Sequence, residues 1–250
     1  MPKTKVYAFD FDGVMCDSAI ETGIAGWKVA SRLWPDMPAE TPAEMIEKFR
    51  QVRPVMETGY EAVIIMRKLF EGVEPSVLLK NINVQIKAII RRDVLNIEGL
   101  KKRFGTTRDA WIAENLDEWI GMNPLFDGIK YKISQIDPQN AYIITTKQER
   151  FVSQILKANN ISFPDDHIYG LDRNLSKQQV LADLQMSHPE QAIVFVEDRY
   201  PTLLNVIEDE RLNELQLFFA DWGYNTEQDK LDAKEHARIR AISLAEITSL

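Results

Sequence analysis

The stretch Val6-Tyr7-Ala8-Phe9-Asp10-Phe11-Asp12-Gly13-Val14 decides how the rest of the chain is read. Its first four residues form an apolar run too short for a helix, and their β-branched and aromatic content suits a buried strand. Two carboxylates follow at once, two residues apart, so on a continuing strand they share a face. At about 5 Å such a pair repels by roughly 3 kcal/mol at an effective dielectric of 20, and the site calls for a cation or for a proton on one acid. Gly13 allows a tight turn and close backbone approach directly after the acids.

Four further runs have the same character: Ala141–Ile144, His167–Tyr169, Ile193–Val196 and Gln216–Ala220. Helical patterns at Glu149–Ala158 and Lys177–Met186 separate them, and this alternation predicts βα units and a doubly wound parallel sheet of the α/β class. In such a sheet ligands bind beyond the carboxyl ends of the strands, which is where Asp10 and Asp12 fall.

More than half the chain separates the first strand from the second, and that interval reads as helical. Ser18 with Glu21 and Thr41 with Glu44 match the Ser/Thr-x-x-Glu capping box, with Pro42 at a favoured first helical position. Ile20, Ile24, Trp27 and then Leu33 or Trp34 recur at helical spacing until Pro35. Further helices are expected over Tyr60–Phe70, Val77–Val94 and Arg108–Trp119. Trp27, Trp34, Trp111 and Trp119 fall on apolar stripes and read as core. The predicted organisation is a catalytic core made of residues 1–16 and 123–250, with a mainly helical domain, 17–122, inserted within it.

Composition narrows the partners. The chain has 250 residues, 45% hydrophobic and 27% charged, enough to bury a real core. With 38 acidic against 30 basic side chains the net charge is -8, which works against gripping a nucleic-acid backbone. An anionic ligand then needs a local cation. Cys16 is the only cysteine, which rules out an intramolecular disulfide and a Cys-based zinc site and fits a reducing compartment. The opening Met1-Pro2-Lys3-Thr4-Lys5 passes too quickly into a short, soon-charged apolar run to read as a signal peptide, and no run reaches the ~20 apolar residues of a membrane span. A cytoplasmic chain with no nucleic-acid or membrane partner is expected.

A second acidic pair, Glu197-Asp198, ends the run Ile193–Val196. If that strand runs parallel to the first, four carboxylates gather at one edge, and hard oxygens without His or Cys favour Mg²⁺. His167, His188 and His236 show no ligand spacing. Thr145-Thr146-Lys147 puts hydroxyls and turn amides at the same edge. Ser176 with Gln179 forms a further capping box, and Lys177 begins a helix, where its charge opposes the macrodipole. Lys101-Lys102-Arg103 reads as a solvated helix end. Within the insert, Lys48–Pro54 concentrates cations, and Arg50 and Arg53 are the candidates for contact with a second anionic group of a substrate.

Acids, hydroxyl, lysine and acids in this order resemble the haloacid dehalogenase superfamily. Asp10-Phe11-Asp12-Gly13-Val14 is similar to the first family motif, Thr145 to the second, Lys177 to the third and Asp198 to the fourth; Leu125-Phe126-Asp127-Gly128 and Trp222-Gly223-Tyr224 also look like family sequence. The resemblance implies a Rossmann-like core with a helical cap inserted after the first motif, and a Mg²⁺-dependent phosphatase acting on a small phosphorylated metabolite of the phosphoglycolate or sugar phosphate type. Asp10 would be the nucleophile and Asp12 the acid and base. Thr145, Thr146 and Lys177 would bind phosphate. Asp10, the Asp12 carbonyl and Asp198 would hold the metal, with Glu197 as an added acid where many relatives have an Asp at the position of Thr202. Asp12 separates the chain from the true dehalogenases, which need no leaving-group acid. A sugar phosphomutase of the β-phosphoglucomutase type shares this pattern, and a catalytically silent binding protein is the third possibility.

Overall fold

The structure, a computed structural model, describes residues 4–250; Met1-Pro2-Lys3, on which part of the leader reading falls, lie outside the described residues. The chain divides into two compact units, one formed by the segment up to Asp17 together with Pro124–Leu250, the other by Ser18–Asn123.

The first unit is built on six parallel strands, β1 (Lys5–Phe9), β2 (Ala141–Ile144), β3 (Ile168–Tyr169), β4 (Ala192–Glu197), β5 (Gln216–Ala220) and β6 (Ile239–Ile242), in the order β3-β2-β1-β4-β5-β6. Beside them run α7 (Ile129–Ser134), α8 (Glu149–Ala158), α9 (Lys177–Ser187), α10 (Tyr200–Ile207) and α11 (Glu227–Glu235). The five expected strands are all present, the third two residues long because Asp165–His167 forms a 3₁₀ turn. The sixth escaped the sequence reading. Its Ile-Arg-Ala-Ile exposes Arg240 at the sheet edge, so it lacks the continuous apolar run of a strand covered on both faces. The central strands do have it: Val6, Ala8, Ile193, Phe195, Leu217 and Phe219 pack with Val180, Leu181 and Leu184 of α9 and with Leu203 and Val206 of α10. Phe195 has no exposed surface, a burial worth about 1.5–3 kcal/mol.

The register fixes the carboxyl edge. Phe9 lies opposite Ile143 on one side and Val196 on the other, and the Asp10 N–H donates to the Val196 carbonyl at 2.9 Å. Asp10, Thr145 and Asp198 therefore leave the sheet side by side, directly after β1, β2 and β4.

The second unit comprises α1 (Ala19–Leu33), α2 (Ala43–Val52), α3 (Glu61–Phe70), α4 (Pro75–Arg92), α5 (Ile97–Glu114) and α6 (Leu116–Gly121). Trp27, Phe49, Ile64, Ile65, Met66, Leu69, Leu78, Ile89 and Phe104 form its core. Trp111 and Trp119 are also buried, and Trp34 packs against the core while its indole N–H donates to Asp93 at 2.8 Å.

Three local expectations need correction. Ser18 precedes α1 without a side-chain cap, and Glu21 turns inward instead: fully buried, it accepts from Arg108 Nε at 2.7 Å, Arg108 Nη2 at 2.6 Å and Trp119 Nε1 at 3.1 Å. Helix α2 starts at Ala43 after Pro42, so the Thr41–Glu44 box does not form. The helix placed at Arg108–Trp119 is two helices, because Asn115 leaves helical geometry and its side chain caps α6 through the Glu118 N–H. Among the described residues no helix is long and apolar enough to cross a membrane.

Candidate active site

At the end of β1 the chain turns sharply. Met15 and Cys16 both donate their N–H to the Phe11 carbonyl, and Gly13, at φ 93, donates to the Cys16 carbonyl. A Cβ on Gly13 would lie 2.1 Å from Asp198 Oδ2, and one on Gly223 would lie 2.3 Å from Asp198 Cβ. Bare backbone therefore closes round Asp198 from both sides, which explains why glycine stands at each position. Cys16 is buried in this turn as a packing residue.

Asp10 and Asp198 are buried, and Glu197 has no exposed surface. Each of the three offers a carboxylate oxygen, all within 4.8 Å of one another. Lys177 lies between two of them, its Nζ donating to Asp10 Oδ1 at 2.8 Å and to Glu197 Oε2 at 2.7 Å. It is placed by the first turn of α9, where Ser176 and Gln179 form the expected reciprocal capping box. The unfavourable position of a cation at a helix start is thus offset by two carboxylates. Burial pushes the Asp10 carboxyl up to about 6, with Lys177 opposing and Glu197 adding to the rise. Burial pulls Lys177 down, but Asp10 and Glu197 outweigh it and hold its ammonium above the usual lysine range.

The other end of Glu197 is engaged as well. Its Oε1 accepts from the backbone N–H groups of Asp198 and Arg199, at 3.1 and 3.0 Å. Glu197 thus orders the turn after β4 and anchors Lys177. Thr202 sits in the first turn of α10 and donates its N–H to the Arg199 carbonyl. Asp198 Oδ2 accepts from the Tyr224 N–H at 2.6 Å, and the Tyr224 hydroxyl donates to Asp17 at 2.8 Å. Trp222 donates its indole N–H to the Val14 carbonyl at 3.2 Å. Trp222-Gly223-Tyr224 is therefore a clasp joining the fourth carboxylate to the loop after β1.

Thr145 is buried beyond the end of β2 and Thr146 is exposed beside it. Asp12 points toward the same strand end, where Lys147 donates to its Oδ1 at 2.9 Å. That lysine is a site residue the sequence reading did not single out. Arg50 is exposed on α2, and Arg53 is buried in a 3₁₀ turn where Nη1 donates to the Met56 carbonyl at 3.4 Å.

The donor set suits a hard divalent cation: carboxylate oxygens converge on one buried point with no His or Cys among them. Asp10, Glu197 and Asp198 are the groups whose carboxylate oxygens could hold such a cation.

No family model matches the sequence, and no curated protein is similar to it. Solved structures are similar in fold. A predicted phosphoglycolate phosphatase from Haemophilus somnus 129pt superposes with a TM-score of 0.61 at 16% identity, covering 100% of this chain and 98% of that one. A predicted phosphatase from Clostridium acetobutylicum gives 0.59 at 17% identity, covering 100% and 98%. A haloacid dehalogenase-like family hydrolase from Streptococcus pneumoniae gives 0.57 at 20% identity, covering 99% and 97%. The six-stranded parallel sheet, its strand order and these superpositions along the whole chain together establish that the protein has the haloacid dehalogenase-like fold.

Proposed function

We propose that the protein is a Mg²⁺-dependent phosphatase that hydrolyses a small phosphorylated metabolite, of the phosphoglycolate or sugar phosphate class, through an aspartyl phosphate. The observation that carries this reading is the pairing of Asp10 with Lys177 and of Asp12 with Lys147 at one strand end, two acids held apart by two different cations. Environments that differ between neighbouring acids are what a nucleophile and a proton-transfer group require.

Asp10 attacks phosphorus, while Asp12 gives a proton to the leaving oxygen and later takes one from the hydrolytic water. Thr145 donates its hydroxyl to a phosphoryl oxygen, and Thr146 adds a second hydroxyl at the mouth. Lys177 balances charge on the nucleophile and the phosphoryl group. Mg²⁺, when bound, neutralises charge on the phosphoryl oxygens. Arg50 and Arg53 of the helical unit are the candidates for contact with a second anionic group of the substrate. A chain with one thiol fits the cytoplasm.

Hydrolysis of p-nitrophenyl phosphate with Mg²⁺, with EDTA, and by an Asp10→Asn variant tests the chemistry. Activity is expected only in the wild type with metal, and equal rates from wild type and variant would overturn the reading. A panel of phosphate monoesters then assigns the substrate. Interconversion of sugar phosphates without release of inorganic phosphate would assign a mutase instead.

A further inference from the structure

Lys147 is paired with Asp12 but has no step of its own in the reaction above. Its side chain has no exposed surface, a state lysine rarely adopts unless paired. Its backbone is held on both sides: the N–H donates to Thr145 Oγ1 at 3.1 Å, and the carbonyl accepts from the Leu171 N–H at 3.1 Å. Thr145 extends the sheet ladder by donating to the Tyr169 carbonyl at 2.9 Å. The ammonium therefore reaches Asp12 from the rigid end of β2, at 2.9 Å from Oδ1. Burying an amine here is costly, and the geometry aims that amine at the second acid.

The geometry points to Lys147 as a positioning residue for Asp12: it fixes the carboxyl group through Oδ1 in the orientation that exchanges a proton with the leaving oxygen. This rests on the phosphatase reading of Asp10 and Asp12. In the first half-reaction an Asp10 oxygen bonds to phosphorus, the ester P–O bond breaks, and its electron pair stays on the leaving oxygen. The proton of Asp12 moves to that oxygen, and the negative charge left on Asp12 appears beside the Lys147 ammonium. In the second half-reaction a water oxygen bonds to phosphorus, the water proton returns to Asp12, and the bond between phosphorus and Asp10 breaks to release phosphate. Lys177 touches Asp10 and Glu197, so its contribution is indifferent to the leaving group. That of Lys147 depends on how much the leaving oxygen needs a proton.

Leaving-group dependence separates the two roles. In the full chain with Mg²⁺, kcat/KM is measured for an alkyl phosphate monoester and for 2,4-dinitrophenyl phosphate, whose phenolate departs without protonation. This parameter reports steps only up to the first irreversible one, the phosphorylation of Asp10. Lys147→Met is expected to lose about 100-fold on the alkyl ester, the lower range of general-acid contributions, and less than about threefold on the aryl ester. Asp12→Asn is expected to show the same selectivity, and adding Lys147→Met to it to cause no further loss on the alkyl ester. Circular dichroism and thermal melting check the fold, and if Lys147→Met unfolds, Lys147→Gln, one bond shorter and uncharged, is measured in its place with the same selectivity expected. Equal losses on both esters, or a full additional loss in the double variant, would overturn the assignment. A wild-type chain that hydrolyses neither ester would overturn the phosphatase reading and this inference with it, whereas an active wild type with unselective variants overturns the inference alone.

Discussion

Removing the Glu21 carboxylate tests how the helical unit is held together. Glu21 has no exposed surface and receives two short hydrogen bonds from Arg108, at 2.7 and 2.6 Å, and one from the Trp119 indole at 3.1 Å. The Arg108 guanidinium also lies 4.3 Å from the Phe104 ring centroid and donates to Thr22 at 3.2 Å, so it has little freedom to swing out. In Glu21→Ala a buried cation and an indole N–H lose their acceptor, a loss of about 3–5 kcal/mol. The double variant Glu21→Leu/Arg108→Met removes both charges at similar volume and is expected to recover all but about 1 kcal/mol, because the pair's desolvation disappears with it. Urea unfolding of the full chain, followed by far-UV circular dichroism, measures both. Tryptophan emission adds a probe biased to this unit, since Trp27, Trp34, Trp111 and Trp119 lie in it and Trp222 alone does not. A Glu21→Ala loss below 1 kcal/mol, or a double variant as unstable as the sum of the singles, would refute the reasoning.

Two further outcomes follow from the same structure. Gly223→Ala puts a methyl group where Asp198 Cβ and the Gly13 carbonyl already stand, at 2.3 and 2.5 Å, so Asp198 must shift; isothermal titration should show Mg²⁺ affinity falling about 10–100-fold, and unchanged affinity would contradict the proposal that Asp198 is a metal ligand. Glu71 is bonded by Arg92, Lys68 and Arg67; burial raises its carboxyl, but these partners outweigh it and lower the value from 4.5 to about 2. Because the folded chain binds this proton less tightly than the unfolded one, the contribution is complete above pH 4.5 and is lost as pH falls toward 2. Glu71→Gln should therefore be less stable than wild type by about 1 kcal/mol at pH 7. In thermal melts the two should converge on acidification, and a gap that widened would show the sign to be wrong.

The parts legible in the sequence are those whose signal is local. β1, β2, β4 and β5 announce themselves because a strand covered on both faces must be apolar throughout. Ser176 and Gln179 cap α9 as their spacing says. Ser18 and Glu21 have the same spacing and do something else, since Arg108, brought in by α5, offers Glu21 a better partner than a backbone N–H. Lys147 went unnoticed for the same reason. Its partner, Asp12, is 135 residues away, and no pattern within a turn or a strand distinguishes it from a solvated lysine. Neighbours in sequence therefore revealed the scaffold, the acids on it and Lys177, while the second cation beside those acids, Lys147, came from tertiary packing.

In sequence the helical unit lies between the central strand of the sheet and both of that strand's partners, which has a consequence for how the chain folds as it is made. β1 leaves the ribosome before β2 and β4 and must wait for them. Joining β1 to β2 across an unstructured insert means closing a loop of roughly 130 residues. Once the helices have packed, the Asp17 N–H and the Pro124 carbonyl stand 2.8 Å apart, and the stretch to be closed shrinks to roughly 25 residues. That difference is worth about 1.5 kcal/mol of chain entropy, so a helical unit that folds early acts as a staple that brings the sheet's two halves within reach of each other.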